Sequence, residues 1–339
     1  MTIDCDVHGR VPTMEELVPH LDSYWAAYVE EAGPGVPAGI AAVYPPGAPA
    51  TGSPLGGATL EELGAHLDRL GASAAILNCV FGLEGLRNLD YASALAGAVN
   101  DWLAAEWLDR DPRLRASLLV KAEDPAGAAR EIERRAGDPR FVQVLLPARS
   151  ERPYGDPSYL PVLQAASAAG LPVAIHFGGF TGNPPTPVGW PTYYVEEYVG
   201  MAHAFEAQLT SLVAGGALER LPDLRIVFAE SGFAWLPSAM WRLDKEWRGL
   251  WREIPWVKTL PSETIRERVS VTVQPIDPPP EREQLAHVIE QIDCERMLLF
   301  SSDFPHVHAA DFGEAFAGIV DADFQRAVVA ENARALYGL

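Results

Sequence analysis

Asp6 and His8 stand two residues apart in Thr2-Ile3-Asp4-Cys5-Asp6-Val7-His8. In an extended chain, residues two apart share a face, so this carboxylate and imidazole project side by side and can chelate one ion. Three more ligand-type side chains close apolar runs: His176 after Pro172-Val173-Ala174-Ile175, Glu230 after Ile226-Val227-Phe228-Ala229, and Asp303 after Met297-Leu298-Leu299-Phe300-Ser301-Ser302. Singly these are weak signals. A lone strand-end histidine is more often a satisfied core or rim residue, and a lone aspartate more often caps the next turn. Four coincidences at the ends of apolar runs reverse that balance, because such side chains suit a metal site better than a core.

The elements that must position them follow from the hydrophobic pattern. Short apolar, β-branched runs at 2–8, 74–80, 114–120, 141–147, 172–177, 225–231, 269–275 and 297–303 read as eight strands. Helical periodicity lies between them at 60–70, 91–108, 125–136, 159–169, 195–218, 236–250 and 281–292, with a last helix ending near Leu336. Eight alternating units imply parallel strands closed into a (β/α)8 TIM barrel, an α/β fold whose active site sits at the carboxyl ends of the strands. Strand one delivers two of the candidate ligands there, and strands five, six and eight one each. Two segments interrupt the repeat: 33–57, dense in Gly, Pro and Ala, and 181–191, with Asn183-Pro184-Pro185 and Gly189-Trp190-Pro191. Both leave a strand at its carboxyl end and are candidate walls or lids of a site. The organisation expected is one barrel domain over 1–339 with 33–57 as an irregular insertion.

Composition bounds the partners. With 26 Lys and Arg against 46 Asp and Glu, the net charge of −20 would repel a polyanion, which argues against nucleic acid. No apolar run approaches the roughly 20 residues of a membrane span, and no signal-peptide pattern opens the chain, so a cytoplasmic protein without a membrane partner is expected. Cys5, Cys79 and Cys294 are odd in number and widely spaced, which indicates neither a disulfide framework nor a zinc ribbon.

Asp4-Cys5-Asp6-Val7-His8, Ala174-Ile175-His176, Phe228-Ala229-Glu230-Ser231-Gly232-Phe233-Ala234-Trp235-Leu236-Pro237 and Phe300-Ser301-Ser302-Asp303-Phe304-Pro305-His306 resemble motifs of the amidohydrolase superfamily. The branch they resemble includes aminocarboxymuconate semialdehyde decarboxylase and the resorcylate decarboxylases. The resemblance spans nearly the whole chain, to Glu331-Asn332-Ala333-Arg334-Ala335-Leu336-Tyr337. It implies one divalent metal held by His8, His176 and Asp303, with Asp6 where relatives carry His or Glu. At strand six many relatives have His where this chain has Glu230, which would act as a ligand, as a proton carrier, or as the ion-pair partner of a lumen cation such as Lys121. Mixed imidazole and carboxylate ligation suits zinc, placed first, or manganese, placed next.

Asp303, Glu230 and His306 are the candidate catalytic residues; Lys121, Arg149, Trp190 and Gln274 are the candidate substrate contacts. His306 would orient a substrate carboxylate over the metal, or pair with Asp311. Lys121 and Arg149, which end or follow strands three and four, would hold an anion or stand as solvated charges. Gln274 would donate to substrate or satisfy a backbone group. Trp190, with Tyr193 and Tyr194, points to a planar or sugar-like substrate or to loop packing. His203 lies mid-helix and reads as structural, Gly178-Gly179 reads as a tight turn beside His176, and Ser231 lacks the flanking glycine pattern of a nucleophile elbow.

The reaction expected first is hydrolysis, with metal-activated water attacking an amide, lactone or related bond while Asp303 takes its proton. Replacement of the strand-six His by Glu favours this, since aromatic decarboxylases usually retain that His. The alternative is non-oxidative decarboxylation of an aromatic or unsaturated acid, with the metal clamping carboxylate and hydroxyl while Asp303 or Glu230 protonates the ring carbon. A second alternative is a non-catalytic ligand-binding barrel. On the wheel of 236–250, Leu236, Met240, Leu243, Trp247, Leu250 and Trp251 form one stripe, which leaves Trp241 among Arg242, Lys245 and Arg248. A homo-oligomer, a dimer, is expected with Trp241 at or near its interface, unless 33–57 or 251–261 folds over it.

Overall fold

The computed structural model describes residues 1–33, 57–179, 182–308 and 310–339. Eight strands, β1 (Thr2–Val7), β2 (Ala72–Leu77), β3 (Leu114–Leu119), β4 (Phe141–Pro147), β5 (Val173–His176), β6 (Ile226–Ala229), β7 (Val269–Thr272) and β8 (Leu298–Leu299), pair in parallel in sequential order. This is the TIM barrel, and its strands are apolar runs because helices cover the outside while side chains fill the lumen. Register carries His176 into place: it stands opposite Pro147 of β4 and Ala229 of β6.

The ladder of β8 is shorter than the apolar run 297–303, and the reason is closure of the barrel. Beyond Leu299 the chain bonds to β1 instead: Cys5 N–H donates to Phe300 O at 2.9 Å, Asp303 N–H to Asp6 O at 3.0 Å, and His8 N–H to Phe304 O at 2.7 Å. Ser302 N–H donates to the Asp4 carboxylate at 2.9 Å. Asp303 and Asp6, nearly the whole chain apart in sequence, thereby become neighbours.

Helices form where caps and amphipathic spacing coincide. Leu60–Leu70 starts in a Thr59/Glu62 capping box and ends at left-handed Gly71. Leu89–Leu103 buries Asn100, whose amide accepts from Leu119 N–H and donates to Leu119 O, both at 2.9 Å, fastening the helix to β3. Two helices had no periodic signal: Ser23–Ala32, which buries no residue, and Pro261–Arg268, which buries Pro261, Ser262 and Ile265. In Leu236–Leu250 the expected stripe packs only at its start. Leu236 and Met240 are buried and Leu243 joins the core, but Leu250 and Trp251 remain 55% and 45% exposed because packing ends before the last turn.

Of the two irregular segments, 34–56 and 180–181 lie outside the described residues. Gly178 and Gly179 have φ of 111° and 105°, and a side chain at Gly179 would strike the Arg149 carbonyl oxygen. A glycine turn beside His176 is thus required on two counts. Among the described residues no helix is long and apolar enough to cross a membrane, and Cys5, Cys79 and Cys294 are unpaired.

Candidate metal centre

The five residues picked out by strand ends converge. His8 Nε2 lies 3.3 Å from Asp6 Oδ1 and 3.0 Å from Asp303 Oδ1, and His176 Nε2 lies 3.4 Å from Asp6 Oδ1 and 3.6 Å from Glu230 Oε2. Each imidazole is turned by its other nitrogen. His8 Nδ1 bonds the Asn78 carbonyl and His176 Nδ1 the Phe177 carbonyl, both at 2.9 Å. A carbonyl can only accept, so Nδ1 carries the hydrogen and both Nε2 lone pairs face inward, the arrangement metal-binding histidines require. His8 Nε2, His176 Nε2, Asp6 Oδ2 and Glu230 Oε2 are buried and make no hydrogen bond. Buried polar atoms left so are rare unless an ion or water completes them. Among the described residues two ligand groups have the closeness one cation needs: Asp6, His8 and His176, and His8, Asp303 and His306. The residues therefore fit one divalent ion.

Backbone geometry aims the carboxylates. Glu230 and Asp303 sit just past β6 and beyond β8 with φ of 52° and 57°, left-handed conformations that L-residues seldom adopt and that gather at functional sites. Asp303 is gripped on both oxygens: His306 Nδ1 reaches Oδ1 at 3.0 Å and His308 Nε2 reaches Oδ2 at 2.7 Å.

The electrostatics follow from burial and crowding. Burial alone would raise Asp303, but hydrogen bonds from His306 and His308, with the His8 imidazole 3.0 Å away, outweigh it and hold the carboxyl well below the ordinary range. Asp6 is likewise pushed up by burial and pulled down further by His176 and His8. Glu230 goes the other way, raised well above its usual value by burial and by the Asp303 charge. For His8, desolvation disfavours the cation, yet Asp6 and Asp303 more than offset it and raise the imidazole well above its usual value.

Other residues assigned from sequence fall in different places. His306 meets Asp303, not Asp311, whose carboxylate instead caps the helix Phe312–Phe316. Lys121 does not reach Glu230: its ammonium bonds Leu83 O, Glu84 O and Glu123, which occupies all three donors. Arg149 pairs with Glu197 at 2.7 Å. Gln274 donates to Ala310 O and accepts from Ile276 N–H, holding two backbone segments. Trp190 and Tyr193 are 61% and 69% exposed, and His203 lies on the surface of its helix. Beside the centre stand Phe177 and Tyr198, ring centroids 5.5 Å apart, with the Tyr198 hydroxyl raised well above its usual value by burial and then by the charges of Glu230 and Asp303.

Sequence reasoning missed His308, Tyr198 and Asn78. His308 stands two after His306, the spacing that singled out Asp6 and His8, and Asn78 interrupts the apolar run Ala74-Ala75-Ile76-Leu77 as His176 interrupts its own. Tyr198 carried no such signal, since only the packing of helix Tyr194–Ala214 brings it to the mouth.

Glu84 shares a small cavity with His176, Phe177 and Cys79, and burial raises its carboxyl to about 7, against the opposing pull of Lys121. The fold thus favours neutral Glu84, a stabilisation complete below pH ~4.5 and lost as pH rises through about 7. Glu84→Gln keeps the shape without the charge. Its stability advantage over wild type should be small at pH 5 and grow toward about 3 kcal/mol by pH 8.5. Urea melts at both pH values read this directly, and an equal difference at the two would refute it.

A family model described as Amidohydrolase matches residues 3–339. A gamma-resorcylate decarboxylase from Polaromonas sp. (strain JS666 / ATCC BAA-500) is 26% identical over 258 residues, 68% of this chain and 73% of that one. A second, from Rhodococcus jostii (strain RHA1), is 26% identical over 265 residues, 71% of this chain and 76% of its own. Among solved structures, 5-carboxyvanillate decarboxylase from Novosphingobium aromaticivorans DSM 12444, complexed with manganese and 4-hydroxy-3-methoxy-5-nitrobenzoic acid, superposes with a TM-score of 0.78. It is 21% identical, covering 100% of this chain and 96% of that one, a likeness of fold. The hydrolytic expectation is overturned by these relatives, which are decarboxylases. Its premise fails physically, because one exchanged side chain beside a metal does not determine which substrate bond breaks. Placing zinc before manganese rested on ligand type alone and gains no support either; the metal in the solved neighbour is manganese.

Proposed function

The chain belongs to the amidohydrolase family of enzymes, and from that premise we propose that it is a metal-dependent carboxy-lyase that removes the carboxyl group of a hydroxylated aromatic acid without an oxidant. One observation carries the choice of reaction: both curated relatives are gamma-resorcylate decarboxylases. Manganese is the metal we assign, held by Asp6, His8, His176 and Asp303. A bound divalent ion would clamp the substrate carboxylate with its neighbouring hydroxyl and draw electron density from them.

The side chains do the rest. Phe177 and Tyr198 offer flat apolar faces for a planar ring, and His306 orients the carboxylate. Asp303 carries a proton to the ring carbon that bears the carboxyl group. The carbon–carbon bond then breaks, its electron pair restores the aromatic ring, and carbon dioxide leaves. Each turnover consumes one proton. Because Asp303 is fully buried, the proton is resupplied through the groups that touch it, His306 and His308. Glu230 is the second carboxyl within reach of the same space.

The test loads purified protein with manganese and offers hydroxybenzoates beside amides and lactones, measuring carbon dioxide and new amine or acid. Carbon dioxide from a hydroxybenzoate is expected. Turnover of an amide or lactone with no carbon dioxide from any hydroxybenzoate would overturn the reading.

We also propose that the enzyme assembles as a homodimer through the face that carries Trp241. This indole is 53% exposed on Leu236–Leu250. In the following segment Trp256 is engaged elsewhere: it donates to Ala214 O and lies under Arg220. Light scattering should find a dimer, and Trp241→Glu should raise its dissociation constant at least about tenfold by placing a charge in the contact. A monomeric wild type, or a variant that assembles equally tightly, refutes the assignment.

A further inference from the structure

We propose that a buried relay of hydrogen bonds, from Tyr337 in the C-terminal helix through Gln143, Ser117 and Asn78, positions Asp6 and His8 for the metal, which makes Tyr337 a positioning residue of a centre it never touches. The inference rests on the metal centre assigned above and not on the reaction it performs.

A barrel lumen is ordinarily filled with branched apolar side chains. Here Asn78, Ser117 and Gln143 are wholly buried at the ends or interiors of β2, β3 and β4. Their hydrogen bonds can run in only one direction. An ionised Asp6 accepts only, so the Asn78 amide nitrogen must face it, and does so at 2.7 Å. The Asn78 oxygen must then receive, and it does, from the Ser117 hydroxyl and from Gln143 Nε2 at 3.3 Å. Ser117, having donated, accepts from Gln143 Nε2 at 2.8 Å. That leaves Gln143 Oε1 to accept from the Tyr337 hydroxyl at 2.7 Å. Flipping Asn78 would set its amide nitrogen against that of Gln143, donor against donor, and flipping Gln143 would set its oxygen against that of Asn78, acceptor against acceptor. Every bond therefore donates toward Asp6, and bonds so aligned polarise and strengthen one another.

The relay ends on the atom that matters. Asp6 Oδ1, which it grips, is the oxygen nearest both imidazoles, at 3.3 Å from His8 Nε2 and 3.4 Å from His176 Nε2. Asn78 also holds His8, because its backbone carbonyl takes the Nδ1 hydrogen at 2.9 Å. At the other end the C-terminal helix Asn332–Tyr337 is anchored, with Asn332 Nδ2 donating to Glu295 O and Leu298 O at 2.8 Å each. A network that served only to satisfy buried groups would affect folding and leave metal binding alone.

Titration of metal-depleted protein with manganese separates the two roles. Asn78→Ala should weaken binding about 10- to 100-fold, the usual cost of losing a partner that orients a ligand. Tyr337→Phe, four links away and the milder change, should weaken it about two- to threefold. In the Asn78→Ala background the Tyr337→Phe effect should vanish, because the path is already cut. A Tyr337→Phe variant with wild-type manganese affinity, whether or not its thermal midpoint falls, overturns the relay. Should Asn78→Ala fail to fold, Tyr337→Phe alone decides. A wild type that binds no manganese would instead remove the metal centre, and one that binds it without releasing carbon dioxide would remove only the assigned reaction.

Discussion

Replacing His176 by alanine is expected to abolish manganese binding while the barrel stays folded. The imidazole is buried, its Nδ1 is committed to the Phe177 carbonyl, and its Nε2 has no hydrogen-bond partner. It therefore contributes little to the fold and a whole ligand to the centre. Loss of an orienting partner alone costs about 10- to 100-fold in metal affinity, and loss of a ligand should exceed that. The truncation removes a ring at the carboxyl end of β5, where the strand ladder is intact below it, so destabilisation should stay within about 0.5–3 kcal/mol. Elemental analysis after manganese loading, with circular dichroism as the check on folding, decides the matter. A folded variant with wild-type metal content would remove His176 from the centre.

Asp303→Asn should lower turnover at least about 100-fold with a smaller effect on substrate binding. The substitution keeps the shape and one oxygen toward His8, so metal can persist, but the amide cannot carry a proton to carbon. Asp303 is held ionised against the pull of burial by three imidazoles. It must accordingly receive its proton during the cycle and not store it, which makes it sensitive to this change. Turnover close to wild type at full metal occupancy would take Asp303 out of the mechanism and leave Glu230 as the proton carrier. Glu230 is suited to that part, since burial and the Asp303 charge keep its carboxyl raised.

What the sequence by itself determined is the barrel and the set of polar residues that close its strands. Period-two and period-3.6 patterns are local, and a charged or imidazole side chain interrupting an apolar run is visible without any knowledge of its neighbours. Asp6, His8, His176, Glu230 and Asp303 were legible for that reason. Their order of closeness was not. Asp303 reaches His8 only because the chain after Leu299 leaves β7 to bond with β1, and that exchange depends on closing the barrel. The carboxylates aim inward through left-handed backbone at Glu230 and Asp303, which neither residue type announces. Lys121 and Arg149 look like free cations in sequence, yet tertiary packing satisfies the first with two carbonyls and Glu123 and pairs the second through one nitrogen with Glu197. The same holds for Asn78, Gln143 and Tyr337, which lie far apart in the chain and become one chain of donors only inside the lumen. Hydrogen-bond complements are completed by residues distant in sequence, so a residue's type tells what it can bond and only the fold decides what it does bond.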